Sequence, residues 1–438
     1  MPTPVPGLSF VRAAVVALTC AAALIAAPAP ASADAGGSPG AVNFVRPAES
    51  YFDRYTSDGR HASFMNAKYW RMRAYGGYFD SRLDWYGDAW AYVNAYAIYR
   101  GQEVAAAHPD WILRDGAGNR LYIPFGCGGG TCPQYAGDIG NPAFREFWMD
   151  SAARTLAAGY RGLFIDDVNM WLNVGDGNGN DVAPIDPRTG QPMTETAWRR
   201  YFATFMEEVR ARFPGVEIVH NSVWFAPPGP EVDRQVRAAD LIEVERGIND
   251  SGLTSGTGRW SLRNLFSYVD RMHQLGAGVI LDSDASTVAD REYGLAGYFL
   301  VSTGQDGLGN DIGGRPDDWW AGYDADLGAA KGPRYDWQGL LRRDFERGTV
   351  LLNEPDAPTR TVDVGPGLKR IDGAAVTSVQ LGESRGAVLL NPSGAAPALQ
   401  APQPPSTTPG PGAPATPAPS APAAPAPAPS APAPSAPV

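Results

Sequence analysis

From Phe64 to about Leu308 the chain alternates short apolar runs with longer stretches whose apolar positions recur at helical spacing. The runs are "YVNAYAIY" (Tyr92–Tyr99), "GLFIDD" (Gly162–Asp167), "VEIVHNSVW" (Val216–Trp224), "DLIEVE" (Asp240–Glu245), "GAGVILDSD" (Gly276–Asp284) and "AGYFLVSTG" (Ala296–Gly304). Each has the length of a buried strand and is flanked by turn-forming residues. The helices between them are legible from their ends. In "NPAFREFWMDSAARTLAAG", Asn141 caps, Pro142 suits the first turn, and Phe144, Phe147, Trp148, Ala152 and Leu156 share a face before Gly159 stops the helix. "TETAWRRYFATFMEEVRARFPG" and "SLRNLFSYVDRMHQLGAG" follow the same pattern, with Thr194 and Ser261 as caps.

Strand–helix alternation over this length predicts an α/β fold with parallel strands covered by helices. A doubly wound sheet and a (β/α)8 TIM barrel both satisfy it. No glycine-rich phosphate fingerprint follows any strand, which weakens the dinucleotide-binding version. The barrel also predicts polar groups at the C-terminal ends of strands. Asp80, Asn94, Asp138, the pair Asp166 and Asp167, Asn221, Glu243 and Glu245, and Asp282 and Asp284 all occupy such places. The expected architecture is therefore a barrel over 34–347. A small antiparallel β module over 348–395 follows, its alternating strands (Gly348 to Asn391) too few to stand alone.

Composition adds the two ends. The first 33 residues read as an export signal: Arg12, the apolar "AAVVALTCAAALIAA", and the small-residue site "ASA" at Ala31–Ala33. No other segment is apolar enough to span a membrane. Removal of the signal takes Cys20 and leaves Cys127 and Cys132 in "CGGGTC", a pair expected to form a disulfide in an oxidising compartment. Residues 396–438 are almost wholly Pro, Ala, Ser, Thr and Gly, the composition of an extended, disordered tether that reaches into a cell-wall layer. The net charge of −11 and the lack of any basic run exclude a nucleic-acid partner.

Acids on strand tips around one mouth are what acetal hydrolysis requires: one carboxyl donates a proton to the leaving oxygen and another attacks or stabilises the sugar carbon. The strand period of two puts Phe164 and Asp166 on one side and Ile165 and Asp167 on the other. One Asp should face the mouth and its neighbour a helix N-terminus or loop. Glu243 and Glu245 share a side. The competing reading is structural, with these acids capping helices or pairing with Arg161, Arg199 or Arg246. Asn94, Asp80, Asp138, Asn221 and Asp282 are candidate substrate-binding groups, and His220 is either that or a core residue on the far side of its strand. Trp171 and Trp224, directly after strands, are candidate sugar-stacking rings, whereas Trp90 reads as core. "DGNGNDVAPID" (Asp176–Asp186) spaces Asp176, Asn178 and Asn180 as calcium ligands. Asp181 stands where a calcium loop needs glycine and no closing glutamate follows, so the other reading is a solvated turn. No cofactor or catalytic metal is called for: four His and one Cys pair are poor in ligands.

The motifs "HPDWILRDGAGN", "GDIGNPAFREFW", "GYRGLFIDDVNM" and "IEVERG" together resemble the barrel enzymes grouped as hypothetical glycosyl hydrolases, the set numbered fifteen. More distantly, the chain is similar to polygalactosaminidase-type and amylase-clan barrels. The resemblance covers Phe44 to Asn391. It implies a glycoside hydrolase whose catalytic pair is an Asp ending the fourth strand and an acid ending the sixth, hence Asp166 and Glu245, with Asp167 and Glu243 as substitutes. The resulting expectation is a secreted enzyme acting on a poly- or oligosaccharide. Its rivals are a non-catalytic carbohydrate-binding barrel tethered at the cell wall and a metal-dependent hydrolase on the same fold.

Overall fold

The computed structural model describes residues 37–48, 59–283, 285–310 and 316–391. The export signal, Asp284 and the Pro/Ala-rich tail lie outside the described residues.

Eight parallel strands close into a barrel in chain order. They are β1 (Phe44–Ala48), β2 (Arg71–Tyr75), β3 (Ala89–Asn94), β4 (Gly162–Asp166), β5 (Glu217–Asn221), β6 (Leu241–Val244), β7 (Gly278–Ser283) and β8 (Gly307–Asn310). The covering helices are α1 (Gly59–Lys68), α2 (Glu103–Ala107), α3 (Pro142–Leu156), α4 (Glu195–Arg212), α5 (Pro230–Arg237), α6 (Leu262–Leu275) and α7 (Val288–Val301). The expected caps form: Asn141, Thr194 and Ser261 each accept a bond from a backbone N–H in the first turn. Each such cap stabilises its helix by about 1 kcal/mol. One connection departs from the repeat: between β2 and β3 the helix is reduced to the short 3-10 turn Asp80–Arg82.

Side chains alternate along each barrel strand. Val45, Trp90, Phe164, Val219, Leu241 and Ile280 form an apolar layer inside the barrel, distinct from the larger core between strands and helices. Beneath it, Glu217 accepts bonds from Arg71 Nε (2.8 Å) and from Trp90 Nε1 (2.5 Å), so the charge is buried but paired. Above it lies the mouth formed by the strands' C-terminal ends.

Two sequence expectations need correction. The run "AGYFLVSTG" is not a strand; its first six residues are the end of α7, and the eighth strand is the glycine-rich β8 that follows. All nine residues from Tyr293 to Val301 are buried, which erases the amphipathic signature of the helix. The physical reason is that α7 is covered on two sides, by β7 and β8 and by the C-terminal sheet.

The second correction concerns that sheet, which begins at Tyr335, ahead of the expected Gly348. It has six antiparallel strands: β9 (Tyr335–Trp337), β10 (Leu340–Phe345), β11 (Gly348–Asn353), β12 (Arg360–Lys369), β13 (Ala375–Leu381) and β14 (Arg385–Leu390), ordered β9-β10-β11-β14-β12-β13. The charged "RRD" of β10 disguised a strand as a loop. Arg343 instead ties the sheet down: its Nη1 donates to the carbonyls of Phe299 and Ser302 at the end of α7, both at 2.8 Å. Against the same helix, a Cβ on Gly386 would fall 2.5 Å from Ala296 Cβ, so the sheet approaches α7 as closely as glycine permits. Among the described residues, no helix is long and apolar enough to cross a membrane.

Candidate active site

Asp166 is the last residue of β4 and lies on the interior side with Phe164. Three donors meet its carboxyl. Backbone N–H of Asp167 and Nδ2 of Asn221 reach Oδ1, each at 2.8 Å, and the Tyr92 hydroxyl reaches Oδ2 at 2.5 Å. Burial and the adjacent negative charge push the Tyr92 phenol well above its ordinary range, so it stays a donor.

Glu245 follows β6 directly, on the next turn of interior positions after Glu243, and reaches solvent in the mouth. The same Asn221 Nδ2 that bonds Asp166 also donates to Glu245 Oε1, at 2.9 Å. One nitrogen thus touches both acids, and their nearest oxygens are at most about 5.7 Å apart, the two bonds laid end to end. The surrounding protein, and then the charge of Asp166, push the Glu245 carboxyl above the usual glutamate value. Solvent access tempers that effect.

Both acids are followed by a residue in the left-handed region: Asp167 has φ 57° and Arg246 has φ 60°. The strand stops at that point and leaves the acid at its tip. Gly247 continues the second turn with φ 48°, and a Cβ there would sit 2.9 Å from the Asp282 carbonyl oxygen, so glycine is required.

The left-handed turn directs Asp167 towards its neighbours. Its carboxyl accepts from Asn94 Nδ2 at 2.6 Å and from Asn169 Nδ2 at 3.1 Å. Burial, followed by repulsion from Asp166, pushes it up to about 8. The two aspartates of the opening motif therefore occupy different environments. Glu243 lies deeper, 2% exposed, with Oε1 accepting from Arg73 Nη1 at 2.8 Å. Burial pushes its carboxyl far up, while Arg73 pulls the other way. Arg73 also lies 3.6 Å from Asp282 Oδ2 and caps the Phe164 ring. Asp282 fits against β8 because Gly309 has no side chain: a Cβ there would fall 2.4 Å from Asp282 Oδ1.

Asp166, Asp167, Glu243, Glu245, Asn94, Asn221 and Asp282 thus gather at one mouth. Asn94 orients Asp167, and its Oδ1 accepts from the backbone of Tyr96 and Ala97, so its amide is engaged by protein. Asp80 and Asp138 need correction. Asp80 accepts from the Tyr160 hydroxyl on the loop before β4, because the short β2–β3 connection heads back from the mouth at once. Asp138 is buried, with both oxygens bound by Arg188 Nη1 at 2.9 Å. Trp224 also needs correction as a stacking ring: it is 7% exposed beneath Phe225 and Trp260. Trp171 is exposed on the loop after β4. His220 is fully buried on the outer side of β5 with Gln235, and burial lowers it to about 3.

The sequence reading missed Tyr92, Arg73 and Trp260. Tyr92 lies two residues before Asn94, so strand alternation could have found it. Arg73 sits in "RMRAY", where charge at alternate positions mimics a surface strand.

Cys127 and Cys132 are bonded. Their loop rests on the Asp176 turn: a Cβ on Gly177 would meet the Gly130 carbonyl oxygen at 2.7 Å. In that turn Asp176 accepts from the backbone of Asn178 and Asn180 and from the Asn180 amide. Among the described residues, no three His, Cys, Asp or Glu side chains are grouped to hold a metal ion.

A closed parallel barrel with carboxylates ringing its C-terminal mouth defines a (β/α)8 enzyme. The sequence pattern of hypothetical glycosyl hydrolase family 15 matches residues 77–349, and the chain belongs to that family. It is a glycoside hydrolase, and its substrate is a carbohydrate.

No curated protein matches the sequence. Among solved structures, similarity extends to the glycoside hydrolase domain of PelA from Pseudomonas aeruginosa, with 14% identity over 58% of this chain and 88% of that one and a TM-score of 0.36. It also extends to the noncanonic maltogenic alpha-amylase AmyB from Thermotoga neapolitana, with 10% identity over 80% and 98% and a TM-score of 0.48.

Proposed function

We propose that the enzyme cleaves O-glycosidic bonds of a poly- or oligosaccharide outside the cytoplasm by a two-carboxylate, retaining mechanism. Asp166 is the nucleophile and Glu245 the general acid/base. The observation that carries this reading is the single Asn221 nitrogen bonded to both acids. It limits the nearest oxygens of the pair to about 5.7 Å, which accommodates the separation of about 5–5.5 Å used for retention.

In the first step Glu245 gives its proton to the departing glycosidic oxygen while an Asp166 oxygen bonds the anomeric carbon. The elevated Glu245 carboxyl suits a group that must hold a proton before the reaction. In the second step Glu245 takes a proton from water, whose oxygen displaces Asp166. Tyr92, Asn221 and the Asp167 N–H keep the nucleophile's oxygens fixed in both steps. Glu243 is unsuited to either role, since it is buried against Arg73 at the floor of the mouth. The Cys127–Cys132 bond supports an extracytoplasmic location.

The test is to incubate Asp166→Asn and Glu245→Gln with polysaccharides that the unsubstituted protein converts to new reducing ends. Each variant should lose at least about 10³-fold in kcat with unchanged folding. Proton NMR of the first-formed product should show the anomeric configuration of the substrate. Activity in both variants sinks the assignment, and an inverted product sinks the retaining step.

A further inference from the structure

We infer that the catalytic pair sits midway along a cleft that binds a polysaccharide chain on both sides of the cleaved bond, so the enzyme cuts within chains. This inference rests on the hydrolytic reading above and extends it to the form of the substrate.

The first observation is a groove beside the mouth. Because the β2–β3 connection lacks a full helix, a space of about 750 Å³ lies open between the barrel edge, α2 and α3. Tyr75, Tyr92, Tyr99, Gln102, Glu103 and Phe147 are among its lining residues. Tyr99 and Phe147 are exposed, although large aromatic side chains are costly to leave in water. Rings for the C–H faces of a sugar, beside an amide and a carboxylate for its hydroxyls, match carbohydrate chemistry. The groove borders the reaction centre, since Tyr92 lines it and also donates to Asp166.

A second, independent observation lies on the opposite flank. Trp260, on the loop between β6 and α6, is exposed. Its ring rests on Phe225 at 4.9 Å and on Trp224 at 5.7 Å, both from the loop after β5, and the Arg259 guanidinium covers it at 5.1 Å. An exposed indole supported by two other rings is a rigid platform. The three rings stand on the loops that follow β5, which ends in Asn221, and β6, which Glu245 follows.

The order of these parts around the barrel is groove, Tyr92 on β3, Asp166 on β4, Asn221 on β5, Glu245 after β6, and Trp260. Hydrogen bonds join the four middle members in sequence. A saccharide reaching from the groove to Trp260 must pass over the carboxyl pair.

The experiment uses the full chain carrying Glu245→Gln, run in native gels cast with soluble starch, hydroxyethylcellulose, chitosan or polygalacturonate. At least one polymer should retard it. Adding Phe147→Ala, Tyr99→Ala or Trp260→Ala should weaken that retention about tenfold each, the order an aromatic face contributes. With unsubstituted enzyme, the earliest products should be oligosaccharides of intermediate length. Retention unchanged in all three variants, no retardation by any polymer, or release of only terminal sugars overturns the cleft. Retardation without any cleavage by unsubstituted enzyme instead sinks the hydrolytic reading. Cleavage of short aryl glycosides without retardation sinks the cleft alone.

Discussion

Asp167 and Arg246 hold a backbone conformation that side chains other than glycine adopt at a cost of order 1 kcal/mol. Both follow an acid of the proposed pair, so the strain lies where a strand must end abruptly and present a side chain. Asp167 yields a pH prediction. Its folded value of about 8 lies above the ordinary aspartate value near 3.9, so between those limits the folded state keeps a proton that the unfolded chain releases. Its contribution to stability therefore falls as pH rises from about 4 to 8. Asp167→Asn, which tolerates the left-handed turn, should melt close to the parent at pH 4 and above it at pH 8. A melting difference independent of pH would refute this. Tyr92→Phe removes one of three donors to Asp166 and should lower kcat about 10–100-fold with little change in melting temperature.

Among the elements, the strands that carry Arg73 and Glu243 cross the barrel interior with one ion pair between them. Arg73→Met leaves Glu243 buried without its cation, a loss of about 3–5 kcal/mol while the carboxyl is charged. Without the cation Glu243 holds its proton more firmly still, so the deficit in melting temperature should be smallest in acid and widen as pH rises far enough for the parent's carboxylate to form. A constant deficit would mean that packing, and not charge, governs this position. Elements of ordinary amphipathic character were readable in advance: α3, α4 and α6 begin at the caps their sequences announce. The unreadable ones are those whose surroundings are two-sided or whose polar groups serve tertiary contacts. "AGYFLV" looks like a strand because sheet covers its second face, and "RRD" in β10 looks like a loop because Arg343 reaches for α7 while Arg342 pairs with Asp344.

For the whole molecule, the convergence of Asp166 and Glu245 could be read from strand ends alone, since a barrel brings every C-terminal end to one mouth. Asp80 and Asp138 obey the same rule in sequence and still miss the site. Backbone path and an ion pair decide their fate, and neither leaves a mark in hydrophobic spacing. Trp260 was missed because it lies well past its strand. The joint between barrel and sheet is testable through Gly386: Gly386→Val must displace Ala296 or the sheet, and should cost about 1–3 kcal/mol in a denaturant melt. A silent substitution there would show that the joint is loose.

The burial of α7 on two faces has a bearing on how the chain acquires its shape during synthesis. The helix that completes the barrel's outer layer needs the sheet as its other cover, and the sheet closes only when β14 pairs with β11. A ribosome that has released everything up to Val301 has therefore released an apolar rod without its lid. Until residues near Leu390 emerge, the nascent polypeptide must shield that rod by other means, which makes this interval the one most exposed to aggregation.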